Sequence, residues 1–357
     1  MHRRTVLAGL AATAAGPVWA DLAPAAYLAA AVTRDGRALL CGLDTFGEIV
    51  FEHPLQGRGH AAAVHPWRTD AVAFARRPGR FAIVLDCATG ALRAELRTPS
   101  GRHFYGHGAF SRDGTRLYTT ENAFDEAKGV VGVWDAARGY RRIGEILSGG
   151  VGPHEILRMP GSDALIVANG GIETHPESGR AKLNLPFMRP NLSYLSPEGR
   201  VLDQVEPPAA WHMASLRHLA VRRDGLVAVA CQWQGDPVKA VALLATHRMG
   251  AALAFHPMSS VPDKTLDGYG GSVAFSLDGT QIAVTAPRGN RAMLHAAGGA
   301  LLDVIQAEDM CGVAPGPHGL MFTTGGGDVV WHSGAAASHR RHPDMRWDNH
   351  LVSLKAG

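Results

Sequence analysis

Seven stretches of this chain repeat one local pattern, an apolar run closed in most copies by a turn glycine. That repetition restricts the available folds more than any other feature. The clearest copy is HGAFSRDGTRLYTTENAFDEAKGVVGVWD, from His107 to Asp135. A strand is expected over 107–110, a turn at Asp113-Gly114, a strand over 116–120, a polar loop, and a strand over 130–134. Asp-Gly between two apolar runs signals a hairpin, because glycine accepts positive φ and aspartate bonds its own backbone. One such meander has two faces and cannot bury both alone. It makes sense as one unit of an array.

Framing on the residue seven before the glycine aligns His107 and Gly114 with Ser272 and Gly279, His218 and Gly225, and Ala29 and Gly36. His154 with Gly161 and Gly312 with Gly319 fit less well, and His60 opens a run that has lost its glycine. The gaps between successive anchors are 31, 47, 47, 64, 54 and 40 residues. Units of about 40–50 residues with four short strands each point to a propeller. A sandwich does not repeat one motif in register. The expected fold is all-β, a seven-bladed β-propeller forming one domain over 21–357. Ala29, His60, His107, His154, His218, Ser272 and Gly312 should open its seven innermost strands. Blade seven should be closed by 349–354 or by the N-terminal segment, so that the chain ends meet in one blade and leave no open sheet edge.

Residues 1–20 read as an export signal peptide. His2-Arg3-Arg4 precedes an apolar run over 8–15, and Val18-Trp19-Ala20 offers small residues for cleavage. The paired arginines resemble a twin-arginine signal, with an ordinary secretory signal as the alternative. Either route predicts a periplasmic mature chain with no membrane span. Removing Arg3 and Arg4 from the 35 basic residues leaves 33 against 32 acidic ones. So balanced a charge argues against nucleic acid as a partner. The four cysteines allow three disulfide pairings that the sequence does not choose among, and free, largely buried thiols are the favoured reading; no CxxC or CxxCH occurs, so neither a redox pair nor covalent haem attachment is indicated.

Four of the seven anchors are histidine: His60, His107, His154 and His218, in consecutive blades. With 18 histidines in 357 residues, chance places one at about one position in twenty. Imidazole suits iron, copper, zinc and nickel, and rings converging from several blades can cage an ion. Glu155, next to His154, would supply a carboxylate or orient a ligand. The other reading is structural, with histidines sealing the channel. The insertion over 169–191 should lie on the same face and carries Asn169, His175, Arg180, Lys182 and Asn184. A loop that long inside a compact domain is usually functional. Arg180 and Lys182 suit an anionic ligand or a partner carboxylate. Glu121 and Asn122 join them from a neighbouring loop. No nucleophile elbow, zinc-protease helix or phosphate loop is present, so no catalytic residue is assigned.

The mature chain resembles a family of exported bacterial proteins of unassigned function with WD40-like or YVTN-like propellers and twin-arginine-type signals. The matching segments are GHGAFSRDGTRLYTTEN (106–122), GPHE (152–155), NGGIETHPESGRAKLN (169–184) and LRHL (216–219). The resemblance implies iron acquisition or handling, because relatives are often encoded beside imelysin-like and di-haem peroxidase-like proteins. The expected function is therefore a periplasmic propeller holding a metal, iron or another transition ion, or a metal-bearing partner, at its channel face. A non-catalytic interaction scaffold and a lactonase-like metal-dependent hydrolase are the alternatives.

Overall fold

The Asp-Gly turns are wider than two-residue hairpins. In the computed structural model, which describes residues 25–236, 242–257, 266–317, 319–333 and 336–354, strand Arg102–Phe110 ends and strand Arg116–Ala123 begins with five residues between them. Side chains staple that connection. Ser111 Oγ donates to Asp113 Oδ1 at 2.6 Å, the same oxygen accepts from the Thr115 N–H at 2.9 Å, and Gly114 takes φ 72°. Ser276, Asp278 and Thr280 repeat the arrangement around Gly279. The motif read from the sequence is thus a loop built round a turn, as wider hairpin connections commonly are. The expected signal peptide, 1–20, lies outside the described residues.

The described strands form seven four-stranded antiparallel sheets. Blades two to seven each use four consecutive strands. Their first strands are Gly59–Val64, Arg102–Phe110, Pro153–Arg158, Ala214–Val221, Ser272–Phe275 and Met310–Gly316. Each packs against the first strand of its neighbours, and Met345–Ser353 completes the ring. The chain is a seven-bladed β-propeller. Aromatic side chains wedge blades two and three together: Phe74 and Phe104 lie 5.7 Å apart between ring centres, and Trp134 joins them.

Blade one corrects one expectation. Its innermost strand is the C-terminal Met345–Ser353, followed outward by Tyr27–Thr33, Ala38–Leu43 and Ile49–Pro54. Ala29 therefore lies in the second strand, between Cys41 and Leu351. The other six anchors do sit on innermost strands. The reason for the difference is burial: residues 27–31 are buried on both faces, so a second strand reads like a first one. Blade seven is complete in itself, ending with Ala336–Arg341. The first and last described strands pair in blade one, which closes the ring without a free inner edge.

All four cysteines are unpaired and buried. Burial pushes the Cys41, Cys87 and Cys311 thiols up to about 12, which makes them inert. No helix among the described residues is long and apolar enough to cross a membrane.

Candidate metal centre

Five imidazoles meet on the axis. His60, His107, His154 and His218 come from the inner strands of blades two to five, and His350 from the C-terminal strand of blade one. Ring centres of His350 lie 4.6, 4.7 and 4.5 Å from those of His60, His107 and His218. His154 and His218 stand 4.6 Å apart. All five are buried.

What turns these side chains inward is a break in strand register. Pairing shifts between Gly59 and Ala62, Phe104 and Gly108, Pro153 and Glu155, and Leu216 and His218, and again opposite Ala29 and Ala31 in the C-terminal strand. Each histidine lies within or at the edge of such a bulge, which re-aims a side chain that a regular pleat would send elsewhere. Gly106 makes the packing possible. It adopts φ 103°, and a Cβ there would stand 2.6 Å from His60 Cδ2. Gly106→Ala is expected to cost about 2–3 kcal/mol through backbone strain and ring displacement. A denaturant midpoint equal to that of the wild type would refute this account of the packing.

Two carboxylates hold the rings from outside. Asp348 Oδ1 lies 3.2 Å from His60 Nδ1, and its carboxylate also takes Arg58 at 2.6 Å and Arg76 at 2.8 Å. Glu155 lies 3.2 Å from His218 Nδ1 and 3.5 Å from His107 Nδ1, and accepts the Leu219 N–H at 3.0 Å. Burial pushes both carboxyls up, but the rings, with the arginines at Asp348, outweigh it and hold both well below the usual carboxylate range. Glu155 makes no ion pair with lysine or arginine among the described residues, so its charge faces the His107 and His218 rings and the Leu219 N–H. Donation from Nδ1 to a carboxylate leaves the Nε2 lone pair free to ligate.

His107 Nε2, His154 Nδ1 and His350 Nε2 are buried without any hydrogen-bond partner. Desolvation lowers His60 to about 3, lowers His218, and puts His154 and His350 well below the ordinary imidazole value, so these rings are neutral. One ring nitrogen each from His60, His107 and His350 lie within 4.8 Å of one another, and so do those of His107, His154 and His218. Three nitrogens on a tetrahedral ion at ~2.1 Å stand about 3.4 Å apart, so a slight closure of either trio suffices. His107 belongs to both.

The histidine plug separates two cavities. One, of about 420 Å³, is lined by His60, His154 and His218 below and by loops between second and third strands above, with Arg180 and Lys182 from the insertion. The other, about 570 Å³, opens on the opposite side and reaches His107, Glu155 and His350.

The remaining residues expected at the site do not line either cavity. Asn169 is spent on Ser148 and Asn191, Asn184 on Glu173 N and Gly171 O, and Asn122 on Thr174 O and His103. These amides fix the insertion against the blades, because buried backbone groups there need partners. His175 faces Asp125 at 3.2 Å. Glu121 is buried inside blade three on Arg142, at 2.9 Å. Sequence reasoning missed His350, Asp348 and Arg217. The signal was there for His350: Asn349-His350-Leu351 echoes Arg217-His218-Leu219.

A family model described as "Protein of unknown function (DUF1513)" matches residues 53–354. No curated protein matches the chain. Among solved structures, the hydrazine synthase of Kuenenia stuttgartiensis is similar with a TM-score of 0.59 at 13% identity, covering 94% of this chain and 100% of that one. At that identity the likeness is one of fold alone.

Proposed function

Because this chain belongs to the DUF1513 family, whose function is unknown, we propose a role from the chemistry of its own axis: it holds one transition-metal ion among the five channel histidines. The observation that carries this reading is the two histidine trios that share His107, each with ring nitrogens within 4.8 Å of one another, beside which His107 Nε2, His154 Nδ1 and His350 Nε2 have no hydrogen-bond partner. Each buried polar atom left unpaired costs about 1–3 kcal/mol, and a cation shared by the nitrogens of one trio would offset that cost. His107 is the common ligand, completed by His60 and His350 or by His154 and His218, while Glu155 and Asp348 orient the rings. A set rich in imidazole suits Fe(II), Cu(II), Zn(II) and Ni(II). Iron is the choice supported by the resemblance read in the sequence, and the basic, apolar N-terminus supports export to the periplasm. Imelysin-like or di-haem peroxidase-like proteins are the partners that resemblance suggests.

Equilibrium dialysis of metal-stripped full-length protein against Fe(II), Cu(II) and Zn(II) tests the proposal. One tightly held ion per chain is expected for at least one metal. Retention no greater than that of an unrelated protein of similar histidine content ends the metal reading and leaves the rings as channel lining.

A further inference from the structure

The cavity above the histidines carries positive charge that nothing described around it balances. Two of its cations are spoken for: Arg76 binds Asp348 at 2.8 Å and Arg288 binds Asp267 at 2.8 Å. Arg77, Arg180, Lys182 and Arg217 also line it, and none makes an ion pair among the described residues. Arg217 stands out. It is only 5% exposed, sits at the register shift beside His218, and its Nε has no partner. Gly170, at the root of the insertion, leaves it room; a Cβ there would stand 3.3 Å from its Cζ. Tyr105 Oη, on the same wall, is also buried and unpartnered. Burial first, then the like charge of Arg77, lowers Arg217 to about 10. Burial, then Arg217, Arg288 and Arg77, lowers Lys182. A buried cation without a counter-charge is costly, so this one is arranged for a partner that arrives from solution.

We propose that this cavity binds a small multivalent oxyanion, a di- or tricarboxylate or a phosphate, gripped by Arg217 with Arg77 and Lys182. Guanidinium forks match the paired oxygens of carboxylate and phosphate. A space of about 420 Å³ admits a small organic anion and no folded partner. Since His60, His154 and His218 line the same space, the anchored anion can offer an oxygen to an ion held there, which makes chelating anions the natural ligand class. That last clause rests on the proposed metal centre; the anion site itself does not.

Calorimetric titration of the full chain, stripped of metal on a chelating resin, with citrate, inorganic phosphate and acetate tests the proposal. A single saturable site for citrate or phosphate is expected, with acetate at least ~10-fold weaker, as fewer charge-assisted bonds require. Arg217→Met should weaken binding about 30-fold or more, and Lys182→Gln about 3–10-fold, in line with losing a buried and an exposed charge contact. Lys182 is exposed, so its variant keeps the test valid if Arg217→Met fails to fold. Stronger binding of citrate names a polycarboxylate, and stronger binding of phosphate names a phosphate. No saturable binding of either anion, or wild-type binding by Lys182→Gln and by any folded Arg217→Met, overturns the proposal. Because no metal is present, anion binding without metal retention would sink only the metal centre, and the reverse only this site.

Discussion

If the axis holds an ion as proposed, His107→Ala is expected to raise its dissociation constant by about 1,000-fold. That exceeds the 10–100-fold typical of losing an outer hydrogen-bond partner of a metal ligand. His107 is the one ring shared by both trios of converging nitrogens, so its loss leaves neither complete. His154→Ala should do less, about 10-fold, because His60, His107 and His350 remain together. Glu155→Gln should fall in the range for outer partners, since it keeps the shape but removes the charge facing His107 and His218. His175→Ala, far from the cluster and paired with Asp125, should bind as the wild type. Competition dialysis with a chromogenic chelator ranks the four variants. Equal affinities across the set would show that the retained ion sits elsewhere.

The second large effect is on acid stability of the metal-free protein. Above pH ~6.5 imidazoles are neutral in folded and unfolded chains alike, and contribute nothing to the pH dependence. Below it the unfolded chain takes up protons. The native state does not: His60 stays neutral down to about 3, and His154, His218 and His350 are lowered in the same direction, all by burial. Stability changes with pH in proportion to the extra protons on the unfolded chain, so it must fall as pH falls. Each such histidine contributes about 1.4 kcal/mol per pH unit, and four together roughly 5 once the pH is below about 5.5. Glu155 and Asp348, held low in the native state, add a loss of the same sign below about pH 4. Urea midpoints measured from pH 7.5 to 4.5 should therefore drop steeply below 6.5. His154→Leu should flatten the slope by one proton. A flat wild-type profile would mean the rings are not buried neutral. The same burial moves proton competition for the metal below the ~6.5 expected of a free imidazole. Ion release should then coincide with unfolding rather than precede it.

Much of this was legible in the chain. Apolar runs and turn glycines recur at propeller spacing, and four histidines fall at equivalent places, so blade number and the meeting of those four rings follow from pattern alone. What stayed hidden has physical causes. A second strand buried on both faces is indistinguishable from a first one, which moved Ala29 inward and His350 out of consideration. A bulge adds a residue without changing composition, so nothing marked the inward turn of Arg217 or Asp348. The amides of Asn122, Asn169 and Asn184 look like ligand contacts in a sequence. In the fold they are consumed by backbone groups that any ordered loop must satisfy.

The strand that closes blade one also carries His350 and Asp348, and it is the last of the described strands. An ion held by His350 with His60 and His107 would bridge that strand to blades two and three, making it a latch across the seam where the circle was joined. Peeling the C-terminal strand away would then mean surrendering the ion first. Its binding energy would therefore slow the escape from the native state as well as deepen it. A chain lacking residues 345–353 would have no latch to fasten, so metal uptake would report that the ring had shut.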